Sequence, residues 1–176
     1  IENRFNINLD GIEYDAKFVF EEVGYNLEGS EIGAAFGLVQ IKKLNENIIK
    51  RKENFKLQID FFNQFKNYFE VPKVYDGVST AWLAFPLLLR RNIPFTRKQL
   101  QIFLEERNIQ TRVVFTGNIL RQPMCKNIEK RVTKRGLKNA DLVMENGVLL
   151  PLHHGMTKDM FERLHYNIEN FIKKFG

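Results

Sequence analysis

Alternating apolar and polar positions open the chain. Phe5, Ile7 and Leu9 fall on one side of an extended segment and Asp10-Gly11 supplies turn chemistry, which predicts a short hairpin from Arg4 ending near Phe20. Gly24-Tyr25-Asn26 reads as a loop. From Ser30, a good N-cap, the period changes: Ile32, Ala35, Phe36 and Val39, then Ile41, Leu44, Ile48, Phe55, Ile59, Phe62 and Phe69 recur at helical spacing. No proline interrupts before Pro72 and no glycine after Gly37, so the pattern predicts a helix of about 40 residues, roughly 60 Å long. A helix of that length either bends or passes between domains, and the second is the expectation here. Next, Val78 to Leu89 is a nearly continuous apolar run, expected to be a central strand covered on both faces.

Thr96 with Gln99 forms a capping box ahead of Leu100, Phe103 and Leu104, a short helix. Thr111 to Phe115 reads as a second strand, followed by a long polar segment through Gly136. Loops of that length are usually functional. Ala140 to Asn146 predicts a helical piece, Val148 to Leu152 a third strand, and Thr157 the cap of a last helix using Phe161, Leu164, Ile168, Phe171 and Phe175. The order after Pro72 predicts an α/β sandwich: a small antiparallel or mixed sheet with helices on one face.

Composition narrows the class. The 176 residues are 44% hydrophobic, with 16 Phe, and 27% charged, so the signature of disorder is absent. A single cysteine, Cys125, excludes an internal disulfide and a multi-cysteine zinc site and fits a reducing compartment, with the cytoplasm as the simplest expectation. No apolar run approaches the ~20 residues of a membrane helix. Ile1 to Arg4 does not resemble a signal peptide, and the chain is expected to begin partway through a longer one. A net charge of +6 and a pI near 9.4 pass the first screen for nucleic-acid binding, so a basic binding or interaction module stands as the alternative reading. RNA-binding and zinc-finger signatures are lacking, which disfavours it.

Candidate chemistry concentrates in one place. His153 and His154 adjoin a predicted strand end, but no metal-ligand spacing, phosphate-binding glycine loop or nucleophile signature accompanies them. The segment from Thr111 to Pro123 is richer. Arg112 and Arg121, Asn118 and Gln122, and the hydroxyls of Thr111 and Thr116 gather at a strand end and a glycine turn. Such a set suits a phosphate or a polyhydroxylated sugar. It equally suits an ordinary polar loop whose arginines pair with carboxylates.

The motifs carry a resemblance. Gly24-Tyr25-Asn26-Leu27, then Ala34-Ala35-Phe36-Gly37-Leu38-Val39-Gln40 and Lys43-Leu44, are similar to the GYN block of the DegT family of pyridoxal-phosphate enzymes, which act on nucleotide-linked keto sugars. Thr111-Arg112 through Gly117-Asn118 to Arg121-Gln122-Pro123 resembles that family's second block, in the form found in CDP-4-keto-6-deoxyhexose 3-dehydrases. Pro151-Leu152-His153-His154-Gly155-Met156-Thr157 resembles its final turn. The likeness covers nearly all of this chain, but only the C-terminal part of the family's polypeptide.

The resemblance implies a fold: residues 1–29 end the pyridoxal-phosphate-binding large domain, 30–70 form a linking helix and 71–176 are the C-terminal small domain of a fold type I enzyme. It implies a function: 3-dehydration or transamination of a nucleotide-linked keto-deoxysugar, for lipopolysaccharide or other polysaccharide synthesis, with pyridoxal or pyridoxamine 5′-phosphate in a homodimer. Asn26 would touch the cofactor phosphate across the dimer; Arg112, Asn118, Arg121 and His153 would lie on the substrate side. The family's Schiff-base lysine, or the histidine that replaces it in dehydrases, belongs to a region upstream of the GYN block. Lys17 is expected to be structural, no catalytic residue is expected in this chain, and alone it should be inactive. Leu27-Glu28 departs from the aminotransferases that place an aromatic residue and an arginine there, which removes one expected substrate contact.

Overall fold

A computed structural model of the chain describes residues 7–9, 12–14, 19, 25 and 27–176. They fall into two compact units, Ile1–Lys42 and Lys43–Gly176. In the first, β1 (Ile7–Leu9) and β2 (Ile12–Tyr14) pair antiparallel with Ile7 opposite Tyr14, in the hairpin region expected from the alternation. Helix α1 (Glu31–Lys42) begins where Ser30 accepts a bond from the Gly33 amide at 3.2 Å. None of its residues is buried.

The second unit begins with a correction. The apolar period predicted one helix to about residue 70, but Lys43 adopts a turn, α2 runs Leu44–Phe62, and a single 3₁₀ turn (Asn63–Phe65) ends it. Phe69 kept the seven-residue spacing for another reason: it lies in β3 (Phe69–Glu70), pairing with Leu89. Periodicity reports which side of an element is apolar, and cannot register a one-residue break or a change from helix to strand.

Four strands form the sheet in the order β3-β4-β6-β5, antiparallel throughout, with β4 at Ala84–Leu89, β5 at Arg112–Val113 and β6 at Gly147–Pro151. The central strand is shorter than its apolar run and buried on one face only, with Phe85, Leu87 and Leu89 inward and Ala84, Pro86 and Leu88 half-buried. The preceding apolar residues serve the core differently, as Trp82 stacks on Phe55 with centroids 4.7 Å apart. Pro86 is tolerated in the strand because β3 pairs only with Leu88 and Leu89, so Pro86 has a neighbour on the β6 side alone.

The inward face is covered by α2, by α3 (Arg97–Glu105) and by α5 (Lys158–Phe175). Phe55, Phe61 and Phe62 of α2, Leu100 and Leu104 of α3, and Leu164, Ile168 and Phe171 of α5 join the sheet residues in one apolar cluster. The predicted capping box is present: Thr96 Oγ1 accepts from the Gln99 amide at 3.2 Å, and Gln99 Oε1 accepts from the Thr96 amide at 2.7 Å. Helix α4 (Lys138–Asn146) stands apart from that core and buries none of its residues. Its Val143 lines a small apolar hollow on the outer side with Pro86 and Leu88.

One polar group is enclosed in the core. Gln58 of α2 is fully buried, and its Oε1 lies 2.9 Å from His165 Nε2 on α5. The His165 ring stacks on Phe61 with centroids 3.7 Å apart. Burial pushes its pKa down to about 4, so the imidazole is neutral at ordinary pH and donates its Nε2 proton to the glutamine.

Candidate functional site

The loop after β5 is built around a glycine that no other residue can replace without rearrangement. Gly117 has φ +69°, and a Cβ there would lie 2.5 Å from Met144 Cγ on α4. The backbone thus turns sharply while seated against the helix. Two 3₁₀ turns follow, Ile119–Arg121 and Pro123–Cys125, the first capped by Asn118 Oδ1 accepting from the Leu120 amide at 3.1 Å.

Asp141, in the first turn of α4, gathers the loop's polar groups. Arg121 donates from Nε to Oδ1 at 2.5 Å and from Nη2 to Oδ2 at 3.0 Å, and Asn118 Nδ2 donates to Oδ1 at 2.7 Å. These bonds, with the guanidinium charge, hold the carboxyl near pKa 2, and the carboxylate raises the arginine above its ordinary value. Both polar ends of Asn118 are therefore engaged inside the loop, and only 5% of the residue is exposed. Arg121 stays open to water along its side chain. Nearby, Gln122 Nε2 donates to Thr116 Oγ1 at 3.1 Å.

The other two expected substrate-side residues meet elsewhere. Arg112 and His153 line one hollow of about 430 Å³, together with Gln110, Leu83, Leu149 and Pro151; neither Asn118 nor Arg121 borders it. Among the described residues no carboxylate lies within 4 Å of the Arg112 guanidinium. Its predecessor Thr111 is pinned, the amide and hydroxyl both donating to Glu105 Oε1 at 2.5 and 2.9 Å. His153 is oriented by two contacts: its Nδ1 accepts from the Gly155 amide at 3.1 Å, and its carbonyl accepts from Asn54 Nδ2 at 2.9 Å. In the neutral ring Nε2 then carries the proton. Asn26 and Lys17 lie outside the described residues.

The sequence thus named Arg112, Asn118, Arg121 and His153, and the structure sorts them into two pairs. It missed Asp141, which holds Asn118 and Arg121, Asn54, which holds the His153 backbone, and Glu105, which pins Thr111 beside Arg112. The one signal was an acid in the first turn of a helix following a basic loop, a placement that the helix dipole favours by itself.

A family model for the DegT/DnrJ/EryC1/StrS aminotransferases matches residues 2–169. The chain belongs to that family. The DegT chain is 32% identical over 163 residues to the lipopolysaccharide biosynthesis protein RfbH of Salmonella typhimurium, covering 93% of this chain and 36% of that protein. It is 30% identical over 173 residues to the dTDP-4-dehydro-2,6-dideoxy-D-glucose 3-dehydratase of Saccharopolyspora spinosa, covering 97% and 37%. Among solved structures it superposes on the Escherichia coli GDP-4-keto-6-deoxy-D-mannose-3-dehydratase with bound hydrated PLP at TM-score 0.76 and 27% identity, covering 86% of this chain and 38% of that one. The chain therefore spans little more than a third of the relatives it matches. The small-domain α/β fold expected from the resemblance is the one observed. These relatives give no support to a nucleic-acid-binding module.

Pyridoxal phosphate needs an acid at its ring nitrogen, a phosphate cup and a lysine or histidine at its reacting carbon. The hollow at Arg112 and His153 has no carboxylate and no lysine in its lining. It suits an anionic or hydroxylated ligand and does not by itself form a pyridoxal site. Among the described residues no helix is long and apolar enough to cross a membrane, and no cluster of His, Cys, Asp or Glu could hold a metal ion.

Proposed function

We propose that this DegT chain is the C-terminal, substrate-facing part of a pyridoxal- or pyridoxamine-phosphate-dependent enzyme acting on a nucleotide-linked keto-deoxysugar, by 3-dehydration or transamination, for lipopolysaccharide or another polysaccharide. The observation that carries it is the pairing of Arg112 with an oriented His153 in one hollow of a chain matched to the family over residues 2–169. A guanidinium with no carboxylate partner among the described residues binds phosphate oxygens or sugar hydroxyls, and the imidazole Nε2–H supplies a donor beside it. The two 3-dehydratase relatives favour dehydration over amino transfer.

In this reading residues 1–29 close the large cofactor-binding domain, 30–70 link it to the small domain, and 71–176 form that small domain, with the second half of the link packed into its core. The cofactor is held by residues outside the described ones, Asn26 reaching a neighbouring subunit's cofactor phosphate in a cytoplasmic homodimer. Arg121 faces the nucleotide diphosphate, and Asn118 braces the loop.

The test is a pair of variants in the complete enzyme. Arg112→Ala and His153→Ala should each lower kcat/KM for the nucleotide sugar at least about tenfold, as expected for loss of a ligand contact. Values within about twofold of the parent sink the assignment. The 176-residue chain alone, mixed with pyridoxal phosphate and desalted, should retain no yellow complex; a stable one would move the cofactor site into this chain.

A further inference from the structure

We infer that Asp141 is the positioning residue of the loop, setting the one guanidinium edge that Arg121 offers to a diphosphate. This rests on the reading of Arg121 given above.

A guanidinium has five N–H donors. Asp141 occupies Nε–H and one proton of Nη2, which leaves the two protons of Nη1 and the second of Nη2. Those on the Nη1/Nη2 edge still match two phosphate oxygens, so Arg121 remains a two-point binder with one face fixed. The same carboxylate holds Asn118 Nδ2, and Asn118 Oδ1 caps the turn that carries Arg121. A single side chain therefore fixes both the guanidinium and the backbone from which it extends. Asp141 itself belongs to a separate element, α4, whose Met144 sits against Gly117 of the loop.

Two effects oppose each other when the carboxylate is removed. Losing a negative charge raises the local positive potential and favours an anion; losing the anchor lets Arg121 swing. The site is open to water, whose high dielectric weakens the charge effect across the width of a guanidinium, so the loss of orientation decides the outcome.

A double-mutant cycle in the complete enzyme tests this. Asp141→Asn should raise KM for the nucleotide sugar about fivefold or more with kcat within about twofold, since a remote diphosphate contact acts on ground and transition states alike. The Asp141→Asn/Arg121→Ala double variant should be no worse than Arg121→Ala, because Asp141 acts through Arg121. Asp141→Glu keeps the charge and moves the anchor by one methylene, and should also raise KM, which separates position from charge. Additive losses in the cycle, or an unchanged KM for both Asp141 variants while Arg121→Ala raises it, would overturn the positioning role. An unchanged kcat/KM for Arg121→Ala would overturn the underlying reading of Arg121, and is recognisable as such because Arg112→Ala would still show its loss.

Discussion

Helices α1 and α2 come from one stretch of periodic sequence and have opposite fates. Helix α2 buries Phe55, Gln58, Phe61 and Phe62, whereas α1, with Ile32, Phe36, Leu38 and Ile41 on its surface, buries nothing. Their patterns differ in degree: α1 carries apolar side chains nearly all round, whereas α2 is mostly polar with its apolar residues toward one side. The α2 residues join the apolar cluster of their own unit, and that burial is a property of the fold around the helix. An apolar stripe therefore states what a helix requires, and only the packing states whether the requirement is met.

The largest expected effect would break this comparison outright. Phe62→Ala empties a site with no exposed surface and should cost about 3–5 kcal/mol of stability in urea unfolding, while Phe36→Ala should stay within about 0.5 kcal/mol. Similar losses at the two positions would mean that α1 shares the core. Second comes acidification. His165 is neutral in the fold with its pKa near 4, against about 6.5 unfolded, so the unfolded chain takes up the proton first and stability falls as pH drops below about 6.5, levelling off below about 4. Allowing for the part of the ring open to water, the loss should be about 1–2 kcal/mol, and His165→Phe should flatten that step in a pH series of unfolding midpoints. A step that survives the substitution would belong to another group. The smallest effect concerns caps: Thr96→Ala should cost about 1 kcal/mol, whereas Ser30→Ala, capping a helix that buries nothing, should leave the global midpoint unmoved. Hydrogen exchange would sharpen the same contrast, with α1 amides exchanging through local openings and α2 amides approaching the global limit.

Much of the fold was legible because local rules and packing agreed. Thr96 with Gln99, and Thr157 ahead of Phe161 and Leu164, announce their helices through bonds made within four residues. The break at Lys43 was not legible, since neither proline nor glycine marks it. The site was half legible. Three of the four candidate residues, Arg112, Asn118 and Arg121, cluster within Thr111 to Pro123, but the groups that orient candidates come from afar: Asp141 is 20 positions beyond Arg121, and Asn54 is 99 before His153. The carboxylate pairing that the sequence left open as the ordinary explanation is present at Arg121, and no carboxylate among the described residues provides it at Arg112.

The bond between Arg121 and Asp141 also pinches together the two ends of the stretch between them, much of which, 126–136, is exposed. Once the ends are fastened, closing a loop costs only about 0.6 kcal/mol more for each doubling of its length. Insertions, deletions and wholesale replacement there should leave the sheet and its aromatic core untouched, which unfolding midpoints of loop variants would check. That stretch is a natural cassette: a place where descendants, or an engineer, can graft new sequence beside the Arg121 loop without having to solve the folding problem again.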